Sequence, residues 1–148
     1  MYWNKDIETI SKEDLKKLQL ERLKKSVKIA YTTPFYKKHF DQAGFKPSDL
    51  KTLDDVNKIP FTTKDDLRKA YPYGMLAAEH SEVIRMHASS GTTGRSTVIF
   101  HTADDVKKWS DLVARSIYMA GIRKTDVFQN MMTYGLFTGG LGLHYGAE

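Results

Sequence analysis

The chain has 148 residues, 41% apolar and 28% charged, with a net charge of +5 and no cysteine. That length holds one medium domain or two small ones, and the composition is that of a folded chain rather than a disordered one. It excludes a disulfide framework, a thiol nucleophile and a thiolate metal site; interleaved charges speak against a nucleic-acid surface, and apolar stretches far below ~18 residues speak against a membrane span. The acidic start MYWNKDIETISKED has no apolar signal core, so a cytoplasmic location is the expectation.

The first half reads as helical. Ser11-Lys12-Glu13-Asp14 is a capping-box pattern. Leu15, Leu18, Leu23, Val27 and Ala30 follow at near-helical spacing, which predicts an amphipathic helix ending before Pro34. Thr52-Leu53-Asp54-Asp55 and Thr63-Lys64-Asp65-Asp66 each open a shorter helix, and Pro47, Pro60 and Pro72 separate the pieces. Residues 1–80 are therefore expected to form a helical N-terminal segment.

Near residue 80 the pattern changes. Glu82 to Ala88 and Thr97 to His101 read as strands, an antiparallel pair being the simplest arrangement. Thr102-Ala103-Asp104-Asp105 opens a helix with Val106, Trp109, Val113, Ile117 and Ala120 on one face and Gly121 at its end. Asp126 to Met132 reads as a mostly buried strand, and the glycine-rich stretch after it leads into a further helix. The order predicts the opening of a larger α/β domain over residues 81–148, incomplete in this chain. Its unpaired edges would make the isolated chain self-associate.

Between the two strands, residues 87–97 form a loop dense in hydroxyls. Gly91 and Gly94 let backbone N–H groups converge, Ser89, Ser90, Thr92 and Thr93 add hydroxyl donors, and Arg95 adds a cation. The set suits polyphosphate oxygens. Its spacing differs from G-x-x-x-x-G-K-[ST], and composition alone equally allows a hydroxyl-rich hairpin turn. Gly140, Gly142 and Gly146 allow either a dinucleotide-binding turn or close helix packing. Tyr134, Phe137 and Tyr145 fit an aromatic pocket or plain core. His87, His101 and His144 carry no metal-site spacing, and a structural strand histidine is the plainer reading of His87.

The order Ser89-Ser90-Gly91-Thr92-Thr93-Gly94 resembles the phosphate loop of the adenylate-forming enzymes. TPFYKKHFDQAGF, KIPFTTKDDLRKAYPYG, MHASSGTTGRSTVIFHT and YGLFTGGLGLHYGAE, in this order, resemble the phenylacetate–coenzyme A ligase branch. The resemblance runs from about Thr33 to Glu148 and implies the beginning of that family's large N-terminal domain. It implies ATP, Mg²⁺, coenzyme A and an aryl acid as cofactor and partners, with Ser89, Ser90, Gly91, Thr92, Thr93, Gly94 and Arg95 on the ATP phosphates. It also implies an acid pocket including Met132, Tyr134, Gly135, Phe137, Gly139 and Gly140. Two stretches depart from the pattern: the usual Gly-Lys-Pro is Gly94-Arg95-Ser96, and a tyrosine expected by the acid pocket is Met132. The family's adenine, ribose and Mg²⁺ motifs and its adenylation lysine would lie beyond Glu148. No catalytic or metal-ligating residue is therefore expected here, and the chain alone is expected to be inactive. The alternatives are a dinucleotide-binding α/β domain and a non-catalytic interaction module that retains the fold.

Overall fold

The computed structural model describes residues 2–89, 96–136 and 138–148. They divide into two units, Lys5–Ala77 and Met1–Asn4 with Ala78–Glu148.

In the unit Lys5–Ala77, local capping sets the elements. These are α1 (Lys5–Glu8), α2 (Lys12–Ala30), α3 (Pro34–Gln42) and α4 (Lys64–Lys69), with 3₁₀ turns at Pro47–Asp49 and Leu53–Lys58. Ser11 Oγ accepts from the Asp14 N–H at 3.0 Å and donates to Asp14 Oδ2 at 2.7 Å, so the serine and aspartate lock to each other at the start of α2. Asp66 Oδ2 accepts from the Thr63 N–H at 2.9 Å, the same device at α4.

Helix α3 departs from the sequence pattern, in which Pro34 signals only the end of the helix before it. Pro34 is also a beginning: its missing N–H costs nothing in the first helical turn. Thr33 makes the join. Its buried hydroxyl donates to the Ala30 carbonyl at 2.8 Å, closing α2, and accepts from the Tyr36 N–H at 3.3 Å, capping α3. After α3, Gly44 turns the chain at φ 68°, and the Phe45 N–H reaches the Phe40 carbonyl at 2.9 Å. Phe45 thereby meets Phe40 edge-on with ring centroids 5.1 Å apart, and Tyr31 stacks on Phe40 from another side. Val27 and Leu50 complete this core, with Leu23, Tyr36 and Ile59 at its margin.

The second unit is built on an antiparallel pair. β1 (Val83–Ala88) lies beside β2 (Val98–Thr102), with His87 opposite Ile99 and Ala88 opposite Val98. Thr102 ends β2 and caps α5 (Ala103–Met119): its Oγ accepts from the Asp105 N–H at 3.2 Å, and Asp105 Oδ2 accepts from the Thr102 N–H at 2.9 Å. Val106, Trp109, Val113 and Ile117 form the half-buried stripe, whereas Ala120 is exposed. Gly121, at φ 102°, lets the chain leave α5. The last element is α6 (Thr138–Ala147), and no described helix is long and apolar enough to cross a membrane.

Two expectations need correction. Residues 126–132 are not a buried strand: Val127 is 98% exposed and Met131 85%. A strand is held by its ladder partners, and among the described residues only β1 and β2 pair. Apolar character marks this segment, but among the described residues no strand pairs with it. The glycines of α6 are likewise not a turn. They lie inside the helix, buried at Gly140, Gly142 and Gly146, with Gly142 and Gly146 against side chains of α5 and Gly140 against Thr133. A Cβ at Gly142 would come within 2.5 Å of Trp109 Cζ2, and one at Gly146 within 2.7 Å of Val113 Cβ. Close packing explains them, and the dinucleotide turn is excluded by their helical setting.

Gly146→Ala tests that packing. Alanine would improve helix propensity by about 1 kcal/mol. Val113 Cβ cannot rotate away, however, so overpacking of about 1–3 kcal/mol wins and the variant unfolds at lower denaturant. Gly135→Ala, with open space around it, is the control that leaves the midpoint unchanged. In the first unit, Lys46 Nζ and the Tyr31 hydroxyl donate to Asp41, which lowers its carboxyl from 3.8 to about 2. A lowered folded value stabilises the native state above the unfolded pKa. That contribution is lost as pH falls from about 4 towards 2. Acid unfolding should show the loss, and Asp41→Asn should flatten the profile in that window.

Candidate functional site

β1 is the frame of the site, and successive residues along it engage different elements. Arg85 Nη2 donates to the Tyr145 hydroxyl of α6 at 2.9 Å, and the guanidinium lies 4.8 Å from that ring's centroid. His87, 2% exposed, packs edge-on against Trp109 of α5 at 5.4 Å and against His101 of β2 at 5.1 Å. His101 stacks on Trp109 in turn, at 5.7 Å and 12°. Burial, and after it His101 and Arg85, pushes the His87 pKa below its ordinary value, so the imidazole is neutral at pH 7. Its two nitrogens have no hydrogen-bond partner among the described residues. It is a packed strand residue.

At the end of β1 the chain is latched shut. The Ser89 N–H donates to the Thr97 carbonyl at 3.0 Å, and Ser89 Oγ accepts from the Thr97 N–H at 3.0 Å. Ser89 and Thr97 hydroxyls meet at 3.1 Å. The Ser89 side chain thus engages the neck of the loop. Ser90, Gly91, Thr92, Thr93, Gly94 and Arg95 lie outside the described residues, as does Phe137.

One residue earlier, the Ala88 N–H turns away from β2 and donates to the Leu136 carbonyl at 2.9 Å. This brings the segment ending at Leu136 to the other edge of β1. Within that segment, Asn130 organises the chain: Oδ1 accepts from the Met132 N–H at 3.1 Å, while Nδ2 donates to the Gly140 carbonyl at 2.8 Å and to the Tyr134 hydroxyl at 3.1 Å. Tyr134 also meets His144 Nδ1 of α6 at 3.1 Å. Met132, Tyr134 and Gly140 are therefore joined through Asn130. Gly139 is half-buried on α6, and Gly135 stands in open space. Gly140 could not carry a side chain, because its Cβ would lie 2.6 Å from the Thr133 carbonyl oxygen. A cavity of about 370 Å³ opens beside this group, lined by Phe128, Asn130, Tyr134, His144, Ala147 and Glu148.

Nothing in the sequence pattern singles out Asn130 or His144 for a role. No motif marks them, since their partners are reached only once α6 folds back on residues 130–134. Among the described residues no three His, Cys, Asp or Glu side chains are grouped to hold a metal ion.

No family model matches the chain. It is 53% identical over 143 residues to a phenylacetate–coenzyme A ligase of Pseudomonas putida, a match covering 96% of this chain and 33% of the relative. It is 48% identical over 149 residues to the enzyme of that name from Thermus thermophilus, covering 100% of the chain and 34% of the relative. Among solved structures, a 2-hydroxyisobutyryl-CoA ligase in complex with 2-HIB-AMP and CoA superposes with a TM-score of 0.90 at 33% identity, over 99% of this chain and 32% of that one. The same ligase in its postadenylation state gives 0.89 at 31% identity. The chain spans about a third of the length of the curated relatives it matches. Its fold is that of the N-terminal part of adenylate-forming CoA ligases, and along nearly its whole length it is similar in sequence to about a third of the length of the phenylacetate–coenzyme A ligases.

Proposed function

We propose that this chain is the part of an acid–thiol ligase that grips the ATP phosphates and borders the acid pocket. The whole enzyme would activate an arylacetic acid and pass it to coenzyme A. A carboxylate oxygen attacks the α-phosphorus of ATP; the bond to the β-phosphate oxygen breaks, and pyrophosphate leaves with the electron pair. The coenzyme A thiol then loses its proton and attacks the acyl carbon, and AMP departs. The observation that carries this reading is the match to phenylacetate–CoA ligases along nearly the whole chain.

Geometry supports it. The carboxylate must meet the α-phosphate, and the neck of the phosphate loop and the acid segment share one hydrogen bond, Ala88 to Leu136. Holding two reactants in contact removes much of the entropic barrier. Ser90, Thr92, Thr93 and Arg95, with the backbone of Gly91 and Gly94, would donate to the β- and γ-phosphates, where charge grows as pyrophosphate leaves. Ser89 would act at the neck of that loop, through its latch to Thr97. Tyr134, Met132, Gly135, Phe137, Gly139 and Gly140 would border the acid. The Mg²⁺ implied by the family has no ligand set among the described residues, and no role assigned to this chain depends on one.

In domain terms, residues 1–80 are the helical N-terminal segment and residues 81–148 open the nucleotide-binding domain. The exposed Val127 and Met131 favour self-association of the isolated chain, and the cytoplasm is its proposed location.

Pyrophosphate exchange into ATP, dependent on an arylacetic acid, tests the function in the full-length enzyme that carries this chain. The exchange is expected in the wild type, and its absence with every arylacetic acid tried would contradict the reading. Thr93→Ala should lower the exchange rate by about 10²-fold, with acid binding changed less. Unaltered exchange in the Thr92→Ala/Thr93→Ala double variant would remove these residues from the phosphate site. Ser89→Ala should behave differently. It leaves the half-buried Thr97 N–H without its acceptor, so it should lower stability by about 1–3 kcal/mol, read as a shifted unfolding midpoint.

A further inference from the structure

We infer that Asn130, Tyr134 and His144 form a hydrogen-bond chain, with Glu148 at its far end, in which protonation of His144 frees the Tyr134 hydroxyl to donate to the carboxylate of the acid substrate. The inference rests on the ligase reading and adds a positioning residue, His144, and a pH-dependent mode of acid recognition.

The direction of the Asn130 bonds is fixed by their neighbours. Asn130 has one possible orientation: a flipped amide would set its NH₂ against the Met132 N–H and its oxygen against the Gly140 carbonyl. One Nδ2 proton goes to Gly140, so the other goes to the Tyr134 oxygen, and one lone pair of that oxygen is occupied. A phenol has one proton and a second lone pair left. Which of them faces His144 Nδ1, 3.1 Å away, depends on the imidazole.

When His144 is neutral, Nδ1 accepts the Tyr134 proton and the Nε2–H faces Glu148 Oε2 at 3.9 Å. A carboxylate approaching Tyr134 then meets only oxygen lone-pair density. When His144 is protonated, both nitrogens donate. Nδ1–H occupies the second lone pair of Tyr134, and the charged Nε2–H pairs with Glu148. The Tyr134 proton must leave that axis. The adjoining cavity of about 370 Å³, walled by Phe128 and Ala147 and bordered by Glu148, has room for an acceptor, and the Glu148 carboxylate there is offset by the protonated imidazole. The titratable groups around His144 are Glu148 on its own helix, Tyr134 from the preceding segment, and the Tyr145 ring at 5.3 Å.

The test is the KM for arylacetate across about pH 5 to 8 in the full-length enzyme, where imidazoles titrate. In the wild type KM should rise about tenfold as His144 loses its proton, the size of one hydrogen bond to a charged group, with kcat changing less. Tyr134→Phe should show the high-pH KM throughout, and His144→Asn, which cannot titrate, should give a flat profile. A flat wild-type profile, or a pH dependence that persists in His144→Asn, overturns the inference while adenylation stands. Nitrogen NMR of the ¹⁵N-histidine-labelled wild type reads the same chain without a substitution. The neutral imidazole should carry its proton on Nε2, and an Nδ1–H tautomer would overturn the inference. Absence of acid-dependent pyrophosphate exchange in the wild type would overturn the ligase reading itself, and the inference with it.

Discussion

The site depends on one backbone hydrogen bond, from the Ala88 N–H to the Leu136 carbonyl. A strand has two edges. β1 gives one to β2 and, at Ala88, the other to the segment that carries Tyr134. The loop proposed to hold phosphates begins one residue later, at the Ser89 latch. In a reaction where a carboxylate attacks a phosphate, those two binding regions must abut. Here they meet across a single strand end, which is itself pinned to α6 through Arg85 and to α5 through His87.

Trp109 carries much of that pinning. Its indole takes the edge of His87, stacks with His101, and lies where a side chain at residue 142 would be. Helix α6 is a poor helix by intrinsic preference, since each interior glycine costs about 1 kcal/mol relative to alanine. It forms because the glycines let its backbone approach α5 closely and bury the ring and Val113 beneath it. The same approach sets Gly140 where Asn130 can reach its carbonyl, and His144 where it can meet Tyr134. Packing and polar geometry are therefore one constraint in this unit: loosening the helix contact would also disturb the hydrogen-bond chain.

What was legible in the sequence was local. Ser11, Thr63 and Thr102 announce helices because a cap needs only residues within one turn. The β1–β2 pair was legible from two apolar runs around a turn-rich loop, and Gly121 from its place after a helix. The failures needed distant information. The run 126–132 looks like a strand, but hydrophobicity does not say whether a partner lies alongside. Glycines at 140, 142 and 146 fit a turn or a packed helix equally well until Trp109 and Val113 are placed against them. Pro34 signalled an end and concealed a start, because Thr33 serves both helices. The similarity to phenylacetate–coenzyme A ligases was legible from residue order in four segments. Asn130 and His144 were not, since neither belongs to a spacing that a carboxylate, metal or phosphate would impose.

The central claim is that the acid lies against Tyr134, beside the strand end that opens the phosphate loop. A crystal structure of the full-length enzyme with its arylacetyl-adenylate bound tests this most directly. The account predicts the acyl group against Tyr134 and the first turn of α6, with the adenylate phosphate next to the end of β1. An acyl group lodged away from Tyr134, or a phosphate held far from β1, would contradict it.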